Sequence, residues 1–167
     1  MLFVGILFGS EERLHMAEKR LCECFGDIIL ESPVMKWNYS EYYRGELGSS
    51  IERKFIFFER LINQDSLKDI KTKTNAIETE LSVVGKRTVN LDPGYLTPAK
   101  VVLASTKDYS HRLYLGEGIF AEVTLIFKTN RFHPHINTYR DYQDESYLKV
   151  FEDARNILKG RLKKVGA

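Results

Sequence analysis

The chain has 167 residues, and the whole of 1–167 reads as one domain with room for a sizeable core. At 43% apolar and 29% charged residues it is not a disordered chain. A net charge of +2 with no basic stripe argues against nucleic acid as a partner; the one basic cluster, Lys159, Arg161, Lys163 and Lys164, falls where cations suit the end of a terminal helix.

Leu2 to Phe8 is a continuous apolar run, which predicts a buried strand. It lacks the basic leader and cleavage site of a signal peptide, and no stretch of the chain is long enough to span a bilayer. Ser10 is a good helix N-cap, and Glu11 and Glu12 suit a first helical turn. Leu14, Ala17, Leu21 and Phe25 then recur at helical spacing, and Gly26 ends the helix. Cys22 and Cys24 point to different sides of that helix and do not pair, so cysteine usage fits a reducing, cytoplasmic compartment.

Ile28 to Leu30 predicts a second strand. Pro33 to Ile51 is irregular and holds Trp37, Tyr39, Tyr42, Tyr43, Glu46 and Gly48; a loop of that length is either functional or hides an element. Lys54 to Phe58 predicts a third strand. Asp65 or Ser66 caps a second helix whose inner face carries Leu67, Ile70, Thr74, Ile77 and Leu81, with Gly85 as its stop. Val89 to Leu91 predicts a fourth strand, Asp92-Pro93-Gly94-Tyr95 a turn, and Val101 to Ala104 a fifth strand. Asp144 to Lys164 predicts a last helix with Leu148, Phe151, Leu158 and Leu162 facing inward. The expected fold is α+β: a single mixed, mostly antiparallel sheet with helices packed on it. Its βαββαβ opening resembles the ferredoxin-like plait, with an added hairpin and a C-terminal helix.

That hairpin joins His111 to Leu115 with Ile119 to Phe127. A two-residue loop would pair His111 with Glu122; the loop Gly116-Glu117-Gly118 pairs Arg112 with Glu122 instead. The second register is the more coherent. It puts Leu113, Leu115, Ile119, Ala121 and Val123 on one face, and Arg112, Tyr114, Phe120 and Glu122 on the other. The charge pair is either a cross-strand salt bridge worth a few tenths to about 1 kcal/mol or the polar floor of a ligand site. Lys107, Asp108 and His111 lie in the turn before it, where they suit an anionic group and a proton transfer.

Other chemistry leaves no signature. Gly85-Lys86 lacks the upstream glycine and the following Ser/Thr of a phosphate loop, and Gly5 and Gly9 form no dinucleotide fingerprint. No Gly-x-Ser-x-Gly elbow is present, and His15 reads as structural or exposed. His133 and His135 flank Pro134 without a third ligand at defined spacing, so no metal is expected and the cofactor stays unknown.

Several segments carry a family resemblance: Tyr42-Tyr43 with Glu46-Leu47-Gly48, Lys71-Thr72-Lys73-Thr74-Asn75 with Glu78, Asn90-Leu91-Asp92-Pro93-Gly94-Tyr95-Leu96, and Lys107 through Leu125. Together they are similar to the uncharacterised family called domain of unknown function 4416, over nearly the whole chain. The resemblance implies no established activity. One departure is Asn137-Thr138-Tyr139-Arg140-Asp141-Tyr142, where the family pattern resembles Trp-Thr-Tyr-Pro-Asp-Tyr. The family-like stretches hold Tyr, Asp, Lys, His, Arg and Glu as well as apolar types, so the resemblance implies a site.

Two functions are expected from this. The first is a pocket for an anionic small molecule, a nucleotide or phosphorylated metabolite. Asp92 and Tyr95 border it, Lys107, Asp108 and Arg112 meet the anion, His111 is the acid/base, and Glu122 orients Arg112 or His111. Tyr42, Tyr43 and Glu46 form a wall or lid, and Tyr139 adds a contact. The second is a non-catalytic module that binds a protein or RNA partner through exposed tyrosines and Trp37. Oligomeric state leaves no sequence signal.

Overall fold

Strand β1 (Leu2–Phe8) is buried at every residue, which requires cover on both faces of the sheet around it. The computed structural model describes residues 1–165. After β1 come α1 (Glu11–Phe25), β2 (Ile28–Glu31), β3 (Met35–Trp37), the single turn α2 (Arg44–Leu47) and β4 (Ile51–Phe58). Next are α3 (Leu67–Glu80), β5 (Val89–Leu96), β6 (Lys100–Ser105), β7 (Leu113–Gly116), β8 (Ile119–Lys128), β9 (Arg131–Pro134) and α4 (Glu145–Val165).

The nine strands form one sheet in the order β2-β4-β1-β5-β6-β8-β7, with β3 also on β4 and β9 also on β8. Every pairing is antiparallel. The half β2-β4-β1-β5, connected through α1 and α3, has the strand order of the ferredoxin-like plait. Leu14, Ala17 and Leu21 of α1 and Ile70 and Ile77 of α3 pack on Val4, Ile6 and Ile56. On the opposite face, Phe3, Phe55 and Phe57 meet Tyr147, Phe151 and Ala154 of α4, with Phe3 and Phe151 edge to face at 4.9 Å. Leu162, expected inward, is 41% exposed and stands outside that cluster. Among the described residues no helix is long and apolar enough to cross a membrane, and Cys22 and Cys24 are both free.

The irregular segment hides elements: β3 pairs with β4 at Met35↔Arg53 through Trp37↔Ile51, and α2 follows it. The short strand β9 was likewise not expected from the sequence. The turn expected at Asp92-Pro93-Gly94-Tyr95 does not form. β5 runs straight through to Leu96, paired with β1 from Phe8↔Val89 to Leu2↔Tyr95. Gly94 answers a close approach there, because a Cβ would strike the Val102 carbonyl and the Phe3 ring.

Pro93 has a second consequence. Leu96 N–H donates toward β1, to Met1 O at 2.8 Å, so Leu91, Pro93 and Tyr95 present their backbone groups to the other side. Pro93 has no N–H to offer β6 there. β5 pairs β6 only from Gly94↔Leu103 to Leu96↔Val101, and upstream of Pro93 the ladder stops. Helix α3 satisfies the freed groups instead: Leu91 N–H donates to Glu78 Oε1 at 2.6 Å, and Leu91 O accepts from Lys71 Nζ at 2.8 Å. A gap in the sheet results, and polar side chains fill its edges.

The hairpin adopts the register that sets Arg112 across from Glu122, with Leu113↔Ala121 and Tyr114↔Phe120 paired. Its two charged members are buried: Arg112 is 7% and Glu122 4% exposed, whereas Leu113 is 74% exposed. Only Ile119 and Ala121 of the apolar face are covered, by the small cluster of Leu67, Tyr95, Val102 and Ala104. The charged residues turn inward because the gap beside β6 offers them partners.

Candidate functional site

The gap opens into a cavity of about 570 Å³, within the size range of small-molecule sites. Lys71, Asn75 and Glu78 reach it from α3, four and three residues apart and so on one helical flank. Arg53 of β4 and Asn90 and Asp92 of β5 form one side. Ser105, Lys107, Arg112 and Glu122 form another. Tyr42 and Tyr43, just before α2, and Tyr139, Asp141 and Tyr142, just before α4, also line it, as do Trp37 and Arg87.

Arg53 organises the first side. Gly5 makes room for it: a Cβ at Gly5 would lie 2.7 Å from Arg53 Nη1. Nη1 donates to Asp92 Oδ2 at 2.9 Å and Nη2 to Asp141 Oδ2 at 3.1 Å. Trp37 Nε1 donates to the same Asp141 oxygen at 3.1 Å, and Tyr142 N–H donates to Asp141 Oδ1 at 3.0 Å. Burial works against the Arg53 charge, yet Asp92 and the neighbouring acidic groups outweigh it and hold the guanidinium protonated. Burial would also raise the Asp92 carboxyl. Arg53, and after it Lys71, outweighs that effect and keeps the carboxyl below its ordinary value.

Arg112 organises the second side. Its Nε donates to Glu122 Oε2 at 2.7 Å, Nη1 to Ser105 Oγ and Lys107 O, each at 2.8 Å, and Nη2 to Tyr139 OH at 2.6 Å. His111 Nε2 is 3.0 Å from the same Glu122 oxygen. Four of the five guanidinium hydrogens are therefore spent inside the protein. Burial opposes the Arg112 charge, but the bonds to Glu122 and Tyr139 raise its pKa. Burial likewise raises Tyr139, against the pull of Arg112.

Glu78 and two lysines behave differently. Burial raises the Glu78 carboxyl, although Lys71 and the Leu91 N–H favour its charged form. Lys71 is 6% exposed, and the hydrogen bond to Leu91 O takes one of its three ammonium hydrogens. Lys107 is exposed and lies with Nζ 4.6 Å from the centre of the Tyr42 ring. Arg87 stacks on Tyr43 at 5.7 Å and pairs with Glu46 at 2.7 Å. The lining thus holds five cations (Arg53, Lys71, Arg87, Lys107, Arg112) against four carboxylates (Glu78, Asp92, Glu122, Asp141), a net of +1.

Of the residues singled out in the sequence, Asp92, Glu122, Lys107, Arg112, Trp37, Tyr42, Tyr43 and Tyr139 line this cavity. His111 does not; it stands behind Glu122. Tyr95 lies on the other face of β5, packed with Leu67 and Val102, because alternate strand residues point to opposite sides. Glu46 touches the site only through Arg87, and Asp108 is exposed and away from the lining. Trp37 is 8% exposed and committed to Asp141, so it offers no surface anchor. No group of three or more His, Cys, Asp or Glu side chains among the described residues is placed to hold a metal ion, His133 and His135 included.

Of the lining residues, Arg53 drew no notice in the sequence, and Lys71, Asn75, Glu78 and Asp141 entered only through the stretches that carry the family resemblance, without a role in the site. Two signals pointed to them. Arg53 occupies an inward position in the alternation Ile51, Arg53, Phe55, and Lys71 and Glu78 border the apolar stripe of α3 as buried charges. The family model described as domain of unknown function (DUF4416) matches residues 1–158. No curated protein and no solved structure matches the chain.

Proposed function

The chain belongs to the DUF4416 family, and on that premise we propose that its cavity binds a small anionic molecule, a nucleotide or phosphorylated metabolite. One observation carries the reading. Cations outnumber carboxylates around a hollow of suitable size, and the two lysines among them, Lys71 and Lys107, keep ammonium hydrogens to give. Arg53 and Arg112 are engaged by protein carboxylates and serve as scaffolding. Lys107 and Lys71 meet the anion, and Tyr42, Tyr43 and Tyr139 offer ring faces for a flat portion of the ligand.

The segments that carry the family resemblance support the same reading. Each puts a polar side chain on the cavity: Tyr42 and Tyr43, then Lys71, Asn75 and Glu78, then Asn90 and Asp92, then Lys107, Arg112 and Glu122. In this reading Asp92 is a braced acceptor. His111 is a positioning residue that acts through Glu122, and a proton from its ring reaches the ligand only by way of that carboxylate.

The test is a melting-temperature screen of nucleotides and sugar phosphates, followed by calorimetry on wild type and Lys107→Ala. A phosphorylated ligand should raise the melting point. Its affinity should fall about tenfold in Lys107→Ala, since a charge-assisted hydrogen bond is lost. A panel without a single stabilising anion, or a variant that binds as tightly as wild type, contradicts the proposal.

A further inference from the structure

Glu122 is used on one side only. Its Oε2 receives Arg112 and His111, whereas no protein donor among the described residues reaches Oε1. The residue is 4% exposed and lines the cavity, and Oε1 itself is closed to water, so a ligand donor reaches it only as the lining side chains shift on binding. The other carboxylates of the lining differ. Both oxygens of Asp141 and both of Glu78 have partners. Asp92 keeps 26% of its side chain accessible, so water can reach it. A buried carboxylate oxygen without a donor is costly, and such groups in folded proteins call for an explanation. The two bonds to Oε2 also prevent the carboxylate from turning toward another partner.

Building on the anion-binding reading of this cavity, we infer that the ligand also carries a hydroxyl or amino group that donates to Glu122 Oε1. The ligand class narrows to polyhydroxylated or amino-bearing phosphates and excludes simple alkyl phosphates. The arrangement is directional. The anionic group is repelled by Glu122 and drawn to Lys71 and Lys107, while the neutral donor is directed to the carboxylate. Sites built around a buried hydrogen-bonding group discriminate strongly against ligands that cannot complete the bond.

The experiment uses matched probes on the full chain by titration calorimetry: ribose 5-phosphate against pentyl phosphate, glucose 6-phosphate against hexyl phosphate, adenosine 5′-monophosphate against its 2′,3′-dideoxy form, and adenosine 5′-monophosphate against purine riboside 5′-monophosphate, which lacks the amino group. In wild type at least one member with the added hydroxyl or amino group should bind on the order of 10- to 100-fold tighter than its partner, the range expected for a hydrogen bond to a charged group. In Glu122→Gln, which keeps the shape and an oxygen for Arg112, that ratio should shrink toward one. The wild-type ratio needs no variant, so it decides the matter even where Glu122→Gln fails to fold. Equal binding within every pair overturns this inference while leaving anion binding in place. Binding of no phosphate at all overturns the underlying reading and this inference with it. A ratio that survives in folded Glu122→Gln removes Glu122 as the discriminator.

Discussion

Arg53 and Arg112 border the same cavity and are both buried, yet they are anchored in different ways. Arg53 holds two carboxylates, Asp92 and Asp141, and so ties β4, β5 and the segment before α4 together. Arg112 holds one carboxylate and spends three of its other hydrogens on Ser105, Lys107 and Tyr139. The first cluster is a brace that crosses the sheet. The second is a local assembly that sets Glu122 and Tyr139 at the edge of the hollow. The contrast separates ion pairs that hold the fold from ion pairs that shape a site.

Removing Arg53 should have the largest effect, because it leaves two carboxylates near the core without their cation. Arg53→Met is expected to cost about 3–5 kcal/mol in chemical denaturation; a cost under about 1 kcal/mol would deny it the role of brace. Arg112→Met strands only Glu122, which His111 still touches, and should cost less, about 2–3 kcal/mol. Gly5→Ala pushes a methyl against the Arg53 guanidinium and the Phe55 ring, for a penalty of about 1–3 kcal/mol from overpacking. Lys107→Ala sits at the small end, within about 0.5 kcal/mol, because the residue is exposed and its Nζ rests only on a ring. If Arg112→Met proved more damaging than Arg53→Met, the two clusters would have to exchange roles.

The pH dependence sharpens the same contrast. Asp92 has its folded pKa depressed below the ordinary 3.8, against burial, by Arg53 and then Lys71. Its stabilising contribution is therefore complete above that value and is lost as pH falls through the folded pKa. The stability gap between wild type and Arg53→Met should be widest above about pH 3.8 and narrow below it. Denaturation curves taken from neutral pH into acid would show this; a gap that widens on acidification contradicts the assignment.

The parts of this molecule that local pattern governs were legible. The apolar run of β1, the helical spacing of α1 and α3, and the Arg112–Glu122 register follow from periodicity and turn chemistry. Asp92-Pro93-Gly94-Tyr95 misled because the same residues that favour a turn here serve a strand. Pro93 ends a ladder, and Gly94 admits the Phe3 ring. Arg53 and Asp141 meet across 88 positions of sequence, a pairing no local signal announces. The inward burial of Arg112 and Glu122 depends in turn on the gap that Pro93 opens, so their role became visible only with the sheet assembled.

The most direct measurement is a two-dimensional amide NMR titration of the wild-type chain with adenosine 5′-monophosphate and ribose 5-phosphate. Saturable shifts concentrated at Asn75, Asn90 to Asp92, Ser105 to Lys107 and Glu122 would place the ligand in the gap between β5 and β6, as the account predicts. Shifts confined to the second hollow beside Cys24, Arg60 and Lys73, or no saturable shift with either compound, would contradict it.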